Sequence, residues 1–71
     1  MGKIDKFAEN LRTLRKERKW SQQDLSLKIH FSQQSISQWE QGLSEPTLSV
    51  LWILSDIFEI SVDELIGKVD F

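Results

Sequence analysis

Apolar residues recur at helical spacing in five short runs, separated by polar joints. Phe7, Leu11 and Leu14 stand at i, i+4 and i+7, one face of a first helix over about residues 5–19. Polar Glu9, Asn10, Arg12 and Thr13 lie between them, and the run closes on RKERK, cations suited to the negative end of a helix dipole. Trp20 follows and is expected to pack under the next helix. Ser21 is a natural N-cap with Asp24 three residues on, a variant of the capping box. It opens a second helix over 22–29, with Leu25 and Ile29 facing inward. The pattern breaks at His30-Phe31. Ser32 offers another N-cap for a third helix over 33–41, with Ile36 and Trp39 as its buried face and Gly42 where a C-terminus favours positive φ. Glu45-Pro46-Thr47 forms a turn, with Thr47 capping a fourth helix over 48–58. Ser61 and Glu64 form a capping box for a last helix over 62–66, ended by Gly67, which returns Val62, Leu65 and Ile66 to the core. Repeats, linkers and low-complexity segments are missing from the sequence. The expectation is an all-α fold, one domain over 1–71 built of five helices with short joints.

The fourth helix carries more apolar residues than one face needs. Leu48, Leu51, Leu54 and Phe58 are expected inside. Val50, Ile53 and Ile57 make a second stripe, with Trp52 between the two faces. A second stripe implies a fully buried helix or a partner surface. In so small a domain the simplest partner is a second copy across a two-fold axis, with Val50, Ile53, Ile57 and Phe71 in the interface and Val69 nearby. The alternative is that the chain's own tail folds back over the stripe.

At 71 residues the chain lies near the lower size limit for a self-sufficient core. Cysteine is lacking, so disulfides and thiolate metal sites are excluded and no metal or other cofactor is expected. No apolar run approaches the roughly 20 residues of a membrane span, and the first residues lack a signal-peptide core; a cytoplasmic protein is expected. The net charge of −2 hides a polarised chain. Residues 1–31 hold eight basic against four acidic side chains, and residues 32–71 hold one against seven. An uneven distribution of this kind can supply a basic patch, while the acidic total implies modest non-specific affinity for nucleic acid. One His, no Gly-rich phosphate loop and no paired-carboxylate cleft leave nothing from which to build a reactive centre, so an enzyme is not expected.

The second and third helices, joined by about three residues, have helix-turn-helix geometry. The outward residues of the third are Gln33, Gln34, Ser37 and Gln38, all neutral hydrogen-bonding groups. A carboxamide can bond bidentately to the N6/N7 edge of adenine in the major groove. An ordinary solvated polar face is an equally good account of the glutamines alone.

The stretch Ser21-Gln22-Gln23-Asp24-Leu25, Phe31-Ser32 and Ile36-Ser37-Gln38-Trp39-Glu40-Gln41-Gly42 resembles the Cro and phage-repressor family of helix-turn-helix proteins, the XRE type. The resemblance continues through Leu11-Arg12-Thr13-Leu14-Arg15-Lys16-Glu17 and through Pro46-Thr47-Leu48 to Ser61-Val62-Asp63-Glu64-Leu65, nearly the whole chain from Phe7 to Gly67. It implies a compact lambda-repressor-like domain and a sequence-specific regulator of transcription, a repressor, that binds double-stranded DNA as a homodimer on a palindromic operator. It implies base contacts from Gln33, Gln34, Ser37 and Gln38, and a phosphate contact from Gln22 at the start of the second helix. Ser32, Ser35, Gln41 and the first-helix cations Arg12 and Lys19 are further phosphate candidates. Arg15 and Glu40 are implied as a mostly buried ion pair. Three features depart from the family pattern: His30 stands where Gly is usual, Leu43-Ser44-Glu45 replaces a loop often carrying Lys or Arg, and the third helix has no positive charge. The alternative is a protein-binding module on the same fold, antitoxin-like or an anti-repressor partner. A stand-alone chain lacks any sensor domain, so no small-molecule ligand is evident from the sequence.

Overall fold

The computed structural model describes residues 3–69. Among them are five helices and no strand: α1 (Lys3–Glu17), α2 (Gln22–Ile29), α3 (Gln33–Glu40), α4 (Leu48–Phe58) and α5 (Val62–Leu65). The all-α expectation holds. α1 begins and ends two residues earlier than expected, closed by a left-handed Lys19, and α3 and α5 each end one residue earlier, with Gln41 and Ile66 as C-caps before the expected left-handed Gly42 and Gly67.

Four helices end on the same pair of bonds. After α1, Lys19 takes φ 60° and Trp20 N–H donates to the Arg15 carbonyl at 3.1 Å. After α3, Gly42 takes φ 73° and Leu43 N–H donates to Gln38 at 2.9 Å. Glu59 and Gly67 do the same after α4 and α5. This six-to-one closure satisfies carbonyls that a helix C-terminus would leave orphaned. At Gly67 a side chain would also collide with the Lys6 methylenes.

The joints α2–α3 and α4–α5 share one local design. In each, a serine four residues before the left-handed residue donates its hydroxyl to the carbonyl just beyond it: Ser26 to Phe31 across His30, and Ser55 to Ile60 across Glu59. The next residue is then an N-cap serine, Ser32 or Ser61. His30 is therefore left-handed, φ 63°, where the resemblance implied Gly. Glu59 is exposed at φ 58° and pays an L-residue's steric cost there. Glu59→Gly is expected to stabilise the fold by about 0.5–1 kcal/mol, the relief exceeding glycine's extra unfolded-state entropy. A thermal melt would show a rise of about 3–6 °C; a fall would mean that Glu59 is unstrained.

Phe7, Leu11 and Leu14 of α1, Leu25 and Ile29 of α2, Ile36 and Trp39 of α3, and Leu65 of α5 close one core. Phe31 in the joint packs its ring on Trp39, centroids 5.6 Å apart. Asn10, read from sequence only as a polar residue on α1, is buried. Its Nδ2 donates to the carbonyls of Glu64 and Leu65, each at 3.1 Å, and ties α1 to the end of α5.

The rotation of α4 corrects the sequence reading. Val50, expected at a partner surface, is 1% exposed and belongs to the core with Leu54 and Phe58. Leu48, expected inside, is 73% exposed, and Leu51, Ile53 and Ile57 flank the core half-buried. Leu54 and Phe58 are inside as expected, and Phe58 is held there by the Trp20 ring, centroids 5.6 Å apart, and by Arg18, which donates to its carbonyl at 3.1 Å. The difference lies at the N-terminal end: at about 100° per residue Val50 falls about 40° from Leu54 and Leu48 about 120° from it, so Val50 shares the inward face and Leu48 does not. Val69 is 53% exposed, and Leu48 and Trp52 of α4 stay open at 73% and 66%. Phe71 lies outside the described residues.

Candidate nucleic-acid interface

Glu40 is the point where α1, α2 and α3 are joined. Its residue is 3% exposed. Arg15 grips the carboxylate from two nitrogens, Nε to Oε2 at 2.6 Å and NH2 to Oε1 at 3.0 Å. Gln22, first residue of α2, donates its Nε2 to Oε1 at 3.1 Å. Arg12 donates to the Glu40 backbone carbonyl. A forked guanidinium matches a carboxylate in a way an ammonium cannot. The hydrogen bonds from Glu40 hold the Arg15 guanidinium above its ordinary pKa, opposed by its partial burial and helped by the carboxylate charge.

Arg12 and Arg15 of α1 and Arg18 just beyond it are all bound in this manner. Arg12, Arg15 and Arg18 recur every third residue, and each reaches carbonyls at a helix end. Arg12 binds at the end of α3, Arg15 also binds the Trp20 carbonyl beyond its own helix at 2.8 Å, and Arg18 binds at the end of α4. Cations at helix C-termini answer the dipole there. Arg18 in addition lies over the Trp20 and Phe58 rings, at 5.5 and 5.6 Å from their centroids. Lys16, Lys19 and Lys28 remain exposed, Lys28 over the Trp20 ring at 4.7 Å. The sequence signal for this division was available: arginine at every third position and lysine between.

With Ile36, Trp39 and Glu40 buried, α3 has a fixed rotation about its axis. At about 100° per residue, Gln33, Ser37, Gln41, Gln34 and Gln38 fall within an arc of roughly 140° on the opposite side. Gln33, Gln34, Gln38 and Gln41 are exposed and Ser37 is half-buried. Gln41 donates to the Ser37 hydroxyl at 2.7 Å, so these two already occupy each other. Gln33, Gln34 and Gln38 point their amides outward. Ser32 caps α3 by accepting from Ser35 N–H at 3.0 Å, and the two hydroxyls lie 2.9 Å apart. Gln22 is half-buried and partly committed to Glu40, while Lys19 is exposed in the turn before α2. An open polar groove lined by Ala8, Glu9, Arg12, Gln22, Ser37, Glu40 and Gln41 runs beside the α3 arc. The structure thus brings Arg12, Gln22, Ser37 and Gln41 together around one groove.

The start of α2 is secured by a reciprocal box. Asp24 N–H donates to the Ser21 hydroxyl at 2.9 Å, and Ser21 N–H donates to the Asp24 carboxylate at 2.8 Å. The bond from the Ser21 backbone, then that from its side chain, lowers the Asp24 pKa below its ordinary value. A carboxyl depressed in the folded state adds stability above its unfolded pKa of about 3.9, and that contribution is lost as pH falls through the folded value. Asp24→Asn is therefore expected to lower the melting temperature at neutral pH, with the difference between variant and wild type shrinking steadily as the pH is taken down from about 4. A difference that stays constant with pH would assign Asp24 a role other than the charged cap.

Comparison with known proteins agrees with this geometry. A helix-turn-helix family model matches residues 11–65. The chain is 33% identical over 61 residues to the HTH-type transcriptional activator BcrR of Enterococcus faecalis, covering 86% of this chain and 30% of that protein. It is 32% identical over 60 residues to the HTH-type transcriptional regulator AnsR of Bacillus subtilis (strain 168), covering 84% and 52%. It is 42% identical over 55 residues to the HTH-type transcriptional regulator DicA of Escherichia coli (strain K12), covering 78% and 41%. The chain spans about half or less of the length of these relatives. No solved structure gives a significant match. Among the described residues no helix is long and apolar enough to cross a membrane. The family match spans α2, α3 and the Glu40 junction that sets their angle, and the chain belongs to the XRE-type helix-turn-helix family.

Proposed function

We propose that this chain is the DNA-binding domain of a transcriptional regulator, a repressor, that reads double-stranded DNA in the major groove with α3. The observation that carries the reading is the outward arc of Gln33, Gln34 and Gln38 on a helix whose rotation is locked by Ile36, Trp39 and Glu40. A rigid helix presenting carboxamides suits base edges, since each amide offers a donor and an acceptor together. Ser37, half-buried, is the fourth base-reading candidate. The N-terminal end of α2 lies against the phosphate backbone, with a second N–H of Gln22, Lys19, Ser32, Ser35 and Gln41 as contacts. Arg12 contributes only with the nitrogens not used on the Glu40 carbonyl. Two copies bind a palindromic site with their α3 helices about 34–36 Å apart. The function requires access to chromosomal DNA and no catalytic chemistry.

Selection from random duplex DNA, followed by footprinting, tests the proposal. Enrichment of a short motif with protected major-groove positions is expected. No enrichment, together with capture of a protein partner, would replace it with the protein-binding alternative.

A further inference from the structure

Half-buried serines on the helices of this domain use their hydroxyls in opposite ways. Ser26 and Ser55 donate their protons to backbone carbonyls. Ser37, on α3, instead accepts from Nε2 of Gln41 at 2.7 Å, and its hydroxyl has no other partner among the described residues. A hydroxyl holds one proton to give and two lone pairs to receive with. One lone pair of Ser37 is taken. A helical serine commonly spends its proton on the carbonyl one turn back, and that bond is absent here among the described residues. The proton therefore gains a partner only by pointing outward, away from Gln41.

We propose that Gln41 is a positioning residue that fixes Ser37 as a hydrogen-bond donor at the DNA surface, so that α3 selects against cytosine at the base Ser37 meets. This rests on the DNA-binding reading and deepens it. A serine left to itself rotates its hydroxyl to suit either a donor or an acceptor and discriminates little. Held from behind by an amide N–H, it can only give. Guanine, adenine and thymine each show an acceptor on the major-groove edge, whereas cytosine shows only the N4 amino donor. A donor set against a donor leaves both unpaired in a desolvated contact.

The pair is anchored for this role. Gln41 is the C-cap of α3, and its backbone N–H donates to the Ser37 carbonyl at 3.0 Å, so main chain and side chain of residue 41 both close on residue 37. The cap is held from outside by Arg12 on the adjoining Glu40 carbonyl and is followed by the Leu43 N–H bond to Gln38 at 2.9 Å. Ser37 itself follows Gln33 by one turn on the same edge of the outward arc, beside the groove that Arg12 and Gln22 line. The second N–H of Gln41 is left for a phosphate.

The test measures binding to the selected duplex and to its single-base-pair variants, by the wild type and by Ser37→Ala, Gln41→Met, Gln41→Lys and Gln41→Glu, with melting curves to confirm folding. Each comparison is a ratio between two duplexes for one protein, so the uniform effect of an added charge cancels. At one position the wild type is expected to favour guanine over cytosine by roughly 3–10-fold, the worth of one hydrogen bond. Ser37→Ala and Gln41→Met are expected to flatten that ratio to within about twofold. Gln41→Lys, whose side chain only donates, is expected to keep it. Gln41→Glu, whose side chain only accepts, takes the Ser37 proton and turns lone pairs outward, so the preference is expected to pass to cytosine. A motif in which no position responds to Ser37→Ala overturns the inference alone, as does a preference that survives in Gln41→Met or Gln41→Glu, or that is lost in Gln41→Lys. A wild type that selects no motif removes the DNA reading and this inference together.

Discussion

Glu40→Ala is expected to destabilise the domain by about 3 kcal/mol or more, since removing one partner of a buried pair typically costs 3–5 kcal/mol. At 4–8 °C per kcal/mol for a domain of this size, the melting temperature falls by about 12–24 °C. The loss is large because three donor nitrogens depend on one carboxylate. Arg15 loses both bonds to the carboxylate, Gln22 loses its acceptor, and the junction that sets α2 against α3 is left with the Arg12 bond to the main chain. Arg15 keeps its bond to the Trp20 carbonyl, so its guanidinium is held in place beside an empty site instead of swinging freely to water. Glu40→Gln is expected to cost less, because the amide oxygen still accepts from Arg15 or Gln22. The double variant Arg15→Met, Glu40→Leu is expected to cost less than the sum of Arg15→Met and Glu40→Ala, because no charge is then stranded. Additive losses, or an unchanged melting temperature for Glu40→Ala, would show that the pair is not coupled as the distances indicate.

The ease with which parts of this architecture could be read from sequence follows from how local their causes are. The caps at Ser21, Ser32, Thr47 and Ser61 are each written in three or four consecutive residues, and all four accept the expected backbone N–H. Gly42 and Gly67 announce two of the left-handed residues, and His30 stands where the resemblance places Gly, whereas Lys19 and Glu59 gave no such signal. The face of α4 was unreadable for a different reason. Eight of its eleven residues are apolar, so two stripes fit the helical period almost equally well. The observed face takes Leu54 and Phe58 from one stripe and Val50 from the other, at a spacing of four that neither stripe followed throughout. Asn10 looked like solvent-facing polarity because its acceptors lie 54 and 55 residues away. The candidate site was more legible, since its outward side chains are defined by the inward ones on the same eight-residue helix. What the sequence concealed was competition: Gln22 and Arg12, read as free for phosphate, already bind Glu40.

Gln34→Ala is expected to weaken binding to the selected DNA site by about 1–3 kcal/mol, roughly 5–150-fold, the worth of one good bidentate contact. Gln33→Ala is expected to fall in the same range. Both residues are exposed on the first turn of α3, so neither variant should shift the melting temperature by more than that of an ordinary surface change, within about ±0.5 kcal/mol. The loss should be confined to the selected site. On random duplex DNA, where binding comes from phosphate neutralisation, a neutral side chain contributes little, and affinity should be nearly unchanged. The salt dependence separates the two roles further. Removing a glutamine leaves the slope of log K against log[salt] as it was, whereas Lys19→Ala should reduce that slope by about 1 and weaken all sequences alike. The wild-type slope itself should be shallow, because Arg12, Arg15 and Arg18 are bound within the fold and α3 has no cation. Such a domain discriminates by hydrogen-bond matching far more than by charge. Equal losses for Gln34→Ala on selected and random DNA would move that residue from the bases to the backbone, and a steep wild-type slope would show that the exposed lysines dominate the contact.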